Sequence, residues 1–207
     1  MQISKKALSL LIASVAVLAM VGTTGFVVYQ VYFKVSENGP GRAIASSLDL
    51  PAARVGGMKI SYADYADTMD AVRKFINSEA GKQVGSNMPP ENELKKNVLD
   101  RLVRQAVVQE YAGQHNITVA DDDVRKVFAD VVRSAASSSI PDVAQYLYKN
   151  YGWNEEQFRV KVLRPALLEQ KVTVELSKAK EGDANAFETY LAERLAKPDV
   201  ATYIQLK

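Results

Sequence analysis

Residues Glu93–Val132 read ELKKNVLDRLVRQAVVQEYAGQHNITVADDDVRKVFADVV, and the fold turns on this stretch. Leu94, Val98, Leu99, Leu102, Val103, Ala106 and Val107 recur at spacings of three and four, which lays one broad apolar face along a helix. Asn97, Arg101, Arg104 and Gln105 fall opposite. Gln114-His115-Asn116 breaks the pattern, and Asn is the residue that, after Gly, best accepts a left-handed helix end. Ile117-Thr118-Val119 reads as an extended link. Asp121-Asp122-Asp123 then sets three acids at the positive end of a second helix, whose stripe is Val124, Val127, Phe128 and Val131. The expectation is a helical hairpin with one side of each arm buried.

Upstream, Ser61 can cap a helix with Asp64 three residues on, and Tyr62, Tyr65, Met69, Val72 and Ile76 make its stripe. Before it, Arg54–Ile60 is a short extended piece around Gly56-Gly57. Ser36–Pro51 is rich in Gly, Ser, Ala and Pro without a period, so it reads as a tether. Earlier still, Lys5-Lys6 precedes an uncharged run from Ala7 to Phe33, closed by Lys34. About 20 apolar residues span a bilayer as a helix, so this run is long enough to cross with some tilt. A cleaved signal peptide has a shorter apolar core, about 7–15 residues, with a small-residue site close behind. Ala43-Ile44-Ala45 lies too far beyond the apolar end to be that site. The expectation is an uncleaved, single-pass anchor in the cytoplasmic membrane, basic tail inside and the rest extracytoplasmic.

Downstream, Gly81–Pro90 reads as a loop and Ser134–Ile140 as a polar connector. Pro141 can open a helix carrying Val143, Leu147 and Tyr151, which Gly152 stops. Asn154 with Gln157 signals another start, leading to Phe158, Val162, Leu168, Val172 and Leu176. Pro165 inside that helix predicts a kink. After the polar break Ser177–Asn185, a last helix carries Phe187, Leu191 and Leu195, and Val200–Leu206 reads as a strand.

Composition excludes several functions. Of 26 basic residues, Lys5, Lys6 and Lys34 precede every acid, which leaves 23 against 24 acids. A near-neutral domain is a poor nucleic-acid binder. With no cysteine there is no disulfide, thiolate metal site, thiol nucleophile or lipoprotein anchor. His115 is the only histidine, which leaves a histidine triad or multi-histidine metal site without partners; beside a helix end it fits the dipole. Asp121-Asp122-Asp123 lacks the glycine-turned loop and offset Glu of a calcium site, and is a helix start. Ser137-Ser138-Ser139 has no base beside it, and Gly56-Gly57 is too short for a phosphate loop. No cofactor or metal is expected.

The aromatics carry the functional signal. Each alone is most simply a core residue. As a set, Tyr65, Met69, Phe128, Tyr146, Tyr148 and Trp153 have the amphipathic, adaptable chemistry of a groove for varied apolar segments. Tyr146 and Tyr148 are two residues apart, so one of them must point away from the core of a helix.

In this order, the motifs resemble the chaperone domain of the SurA, PrsA and PpiD group of extracytoplasmic folding factors. Val55-Gly56-Gly57 with Ile60 is similar to that family's strand and turn. Leu94, Val98-Leu99-Asp100, Leu102-Val103, Gln109 and Ala112 resemble its central helix. Ile117-x-Val119 with the acids and Val124 resembles the second arm, and Gly152, Glu156-x-Phe158, Leu168 and Lys171 the returning segment. Phe187–Leu206 is similar to the closing helix and strand, so the resemblance covers Val55–Leu206. Asn116 stands where the family has glycine and Ala120 where it has a capping serine. Family members often carry a parvulin-type prolyl isomerase domain before the closing helix; here only Ser177–Asn185 occupies that place, and a domain needs at least about 50 residues.

The resemblance implies a mainly α fold: a transmembrane helix, then a helical domain closed by a short pair of β-strands at its two ends. The layout read is residues 1–34 tail and anchor, 35–53 linker and 54–207 chaperone domain. The implied function is non-enzymatic holding of unfolded or nascent exported polypeptides, near the translocation machinery and attached to the membrane, with no nucleic acid. The alternative is a structural adaptor docking one partner of a membrane complex; a peptidyl-prolyl isomerase lacks its domain.

Overall fold

A computed structural model of the chain describes residues 40–83, 85, 89–137, 140 and 142–204. The anchor expected over residues 1–34 lies outside them, as do Ser138, Ser139 and Pro141. Among the described residues no helix is long and apolar enough to cross a membrane.

Gly56-Gly57 folds the chain back on itself. The extended piece with its expected glycine turn is two strands, β1 (Pro51–Val55) and β2 (Met58–Ser61), joined by a two-residue turn with Gly56 at φ +55°. A third strand, β3 (Val200–Thr202), pairs antiparallel with β1, so that Ala53 faces Thr202 and Val55 faces Val200. The sheet order is β2-β1-β3, three strands where a pair was expected. Gly56 N–H donates to the Asp199 carbonyl at 3.1 Å and Tyr203 N–H to the Ala52 carbonyl at 3.0 Å, which extends the seam at both ends.

The tether reading of Ser36–Pro51 is corrected. Helix α1 (Pro40–Ser47) occupies it, with proline at the first helical position and Ala45 fully buried. Eight residues make little more than two turns, and Pro, Gly and Ser among them make such a helix look like a linker in sequence. Arg42 fastens it to Asp67, at 2.5 Å, and to Asp70.

Both acids lie on α2 (Tyr62–Asn77), whose cap is Ser61 as expected: its hydroxyl oxygen accepts from Asp64 N–H at 3.0 Å. A short α3 (Glu79–Gln83) takes part of the expected loop. The long α4 (Glu91–Gln114) buries Leu94, Val98, Leu99, Val103, Ala106 and Val107. It ends with Asn116 at φ +55° and Ile117 N–H on the Ala112 carbonyl at 2.8 Å, a Schellman closure without glycine.

Helix α5 (Asp121–Ser137) follows, but the two arms do not share one core. α4 lies in a first cluster with β1, α2 and the C-terminal segment. Val124 and Phe128 of α5 lie in a second, with Val143, Leu147 and Leu163. The extended link from Ile117 carries α5 away from α4 instead of folding it back along it.

Helix α6 (Val143–Tyr151) starts at Asp142, whose carboxylate accepts from Gln145 N–H at 2.8 Å, and stops at Gly152 with φ +77°. Asn154 and Gln157 form the predicted reciprocal box, at 2.8 and 2.9 Å, opening α7 (Glu155–Phe158). The consequence of Pro165 is a π turn at Arg159–Leu163, before α8 (Arg164–Ala179). Arg164 N–H bonds five residues back to the Arg159 carbonyl. The wider turn places Pro165 at the start of a new helix, where a missing N–H costs little.

Helix α9 (Ala186–Leu195) packs on α4 and α8, burying Phe187 and Leu191. Leu195, expected on the same stripe, is 41% exposed. Steps of four residues drift about 40° around a helix each time, and two such steps carry Leu195 off the buried side.

Candidate functional site

The six residues expected to bind peptide do not form one surface. Tyr65 and Met69 are fully buried in the first core; Phe128 and Trp153 are also buried, Phe128 in the second. Trp153 ends a ladder of stacked rings, with Tyr151 5.6 Å away and Phe75 a further 4.9 Å on, which ties α6 to α2. These are packing positions, and of the six only Tyr146 and Tyr148 reach solvent. Tyr148 is 69% exposed, with Lys74 Nζ 5.1 Å from its ring centre, so the prediction that one of the pair points outward holds. Tyr146 is half-buried and lines a shallow groove of about 340 Å³ between α3 and α6.

A second concavity was missed. A cleft of about 190 Å³ lies between β2, the start of α2, the middle of α4 and the π turn. Ile60, Leu102, Val160 and Pro165 give it apolar wall; Gln105 and Gln109 add amides that can bond an extended backbone. Val160 is 47% exposed at this site. The one sequence signal for it was Pro165, a proline within a helical pattern, which marks where the helix had to widen.

Charges around the cleft are paired. Asp64, Asp67 and Asp70 form a row along α2, met by Arg42 from α1 and by Lys161 from the π turn, which reaches Asp64 at 3.5 Å and Asp67 at 4.0 Å. Lys59 pairs with Asp49. With each charge answered, the cleft presents apolar surface and amides more than a field of either sign.

Two arginines lock the C-terminal segment to α4. Arg104 meets Glu169 and Glu188, each at 2.8 Å, and lies over the Phe187 ring at 4.7 Å. Arg194 meets Glu110 at 2.5 Å and Asp199 at 2.8 Å. Hydrogen bonds from these guanidinium groups hold the Glu188 and Asp199 carboxyls below the usual carboxylate range. Asp121 is lowered likewise by Arg164, and Asp123 meets Lys171 at 3.1 Å, so the acids that open α5 also clasp α8. His115 stacks on Tyr111, ring centres 4.0 Å apart, at the end of α4 as expected. Among the described residues no three His, Cys, Asp or Glu side chains stand where they could hold a metal ion.

Helices closed by a small sheet joining the two ends of the domain, with shallow clefts over an ion-paired surface, make a mainly helical domain held together by packing. The chain belongs to the SurA-like N-terminal domain family, whose model matches residues 1–173. This is a chaperone-type domain, not a catalytic one. No curated protein and no solved structure matches the chain. The match stops before the end of α8, yet Leu176, Phe187, Leu191 and Ile204 beyond it complete the first core.

Proposed function

We propose that the chain is a membrane-anchored, extracytoplasmic holdase for extended segments of exported proteins. The anchor reading is supported by Lys5-Lys6 ahead of the uncharged run Ala7–Phe33. The observation that carries client binding is the charge-balanced cleft beside β2, apolar with amides, in a chaperone-type domain. A client side chain buried there gains about 25 cal/mol per Å² of apolar area, offset by ordering of the client, which makes each contact weak and exchangeable. Attachment to the membrane raises the effective concentration where exported chains emerge.

The test is a peptide-array screen and fluorescence titration on the full chain in lipid nanodiscs. Many apolar peptides should bind weakly, and Val160→Asp should weaken all of them without lowering the melting temperature. Binding unaffected by Val160→Asp would move the site elsewhere. One folded partner bound, with no peptide bound, would make the protein an adaptor.

A further inference from the structure

Helix α1 joins the described domain to the stretch expected to cross the membrane, and it is firmly engaged. Arg42 pairs with Asp67 and Asp70 of α2, Ala45 is fully buried, and Leu50 N–H donates to the Ala45 carbonyl at 3.0 Å. Between Lys34, which closes the uncharged run, and Pro40, which opens α1, lie only residues 35–39. Those six Cα steps reach roughly 22 Å at full extension. A domain of this length has a radius of gyration of about 15 Å and is therefore about 38 Å across. The reach is shorter than the width. The domain cannot turn its far side to the bilayer unless α1 comes off α2.

We infer that α1 is a bracket that presents the α1–α2 side of the domain to the bilayer surface. This rests on the anchored reading above. The partner of that side is the lipid headgroup layer, to which Ala43, Ser46 and the half-exposed Leu48 are open. The α2 acids Asp64, Asp67 and Asp70 remain about half exposed, and Arg42 and Lys161 offset two of their three charges, which lessens repulsion by anionic headgroups. Asp67 is shared between Arg42 and Lys161, so the bracket adjoins the wall of the cleft. The cleft is thereby held close to the lipid, where a segment leaving the membrane is still extended.

Because the chain has no cysteine, single-cysteine variants report one site each. Leu48→Cys labels the bracket; Val174→Cys labels α8, which packs on α4 and α9, whereas α1 packs on α2. The full chain, carrying a donor dye, is reconstituted in phosphatidylethanolamine–phosphatidylglycerol vesicles containing a headgroup-labelled acceptor. Flotation reads the anchor, and energy transfer in the floated material reads the orientation. Transfer should be several-fold stronger from position 48 than from position 174, and Arg42→Glu should bring the two together. Arg42→Gln, which removes the attraction without adding repulsion, should give an intermediate ratio and covers the case in which the glutamate disturbs α1 itself. Equal transfer from both sites of the otherwise unaltered chain overturns the bracket, as does a ratio that neither substitution moves. A chain that does not float overturns the anchored reading and the bracket with it.

Discussion

Gly56 sits where the hairpin turn, α4 and the closing segment meet. Its φ is +55°, and a Cβ there would overlap the Glu110 carboxylate and stand 3.0 Å from Arg194 Nη2. Gly56→Ala should cost roughly 1–2 kcal/mol for the left-handed conformation alone, and more as Glu110 is pushed off Arg194. Urea unfolding measures this; unchanged stability would mean that the turn and the ion pair relax freely. The carboxylates carry a pH signature as well. Asp121, Glu188 and Asp199 have folded-state values below the ordinary one, so their contribution is complete above about pH 5 and is lost as pH falls through the lowered values. Melting temperature should therefore drop on the acid side, and Asp199→Asn should make that drop shallower. An acid limb identical in the variant would remove Asp199 from the account.

At the scale of elements, the caps and stripes were legible because each is a local rule. Ser61, Asn116, Gly152 and Asn154 do what their chemistry allows with neighbours a few residues away. Among those that were not, α1 and the π turn matter most. α1 is only eight residues long and mixes Pro, Gly and Ser, and Ala45 is buried because α2 lies over it, a fact of packing and not of spacing. The π turn hides because its extra residue shifts the stripe within one helix, and Pro165 signals a disturbance without saying which kind. The site shared this fate. Aromatic chemistry pointed to Tyr65, Met69 and Trp153, but large amphipathic side chains are as useful inside a core as in a groove, and composition does not separate the two. The π turn offers its own test. Deleting Val160 should convert it to an α turn and rotate α7 by about 100° against α8. The second cluster around Phe128, Leu147 and Leu163 should then lose hydrogen-exchange protection while the first keeps it. Uniform loss in both would mean that the clusters fold as one unit.

For the whole molecule, the segment beyond the family match decides stability. Truncation after Lys180 removes Phe187, Leu191 and Ile204, each buried in the first core and each worth roughly 1.5–3 kcal/mol. Their total is comparable with the net stability of a domain, about 5–15 kcal/mol. The truncated chain should unfold or aggregate, whereas a folded domain inserted at the exposed Gly182 should leave the melt nearly unchanged. Circular dichroism of both proteins decides, and a truncation that melts like the parent would make the C-terminal segment a tail. In a proline-limited refolding assay, substoichiometric protein should leave the uncatalysed rate in place; clear acceleration would contradict a non-catalytic domain. The seam between β1 and β3 also sets a clock. Arg54 must wait for Ala201, 147 positions later, before its edge of the sheet is paired. At about 5–20 residues per second of synthesis, that is a delay of roughly 7–30 s. During that interval each new copy shows the same kind of half-built surface as the chains it is proposed to guard.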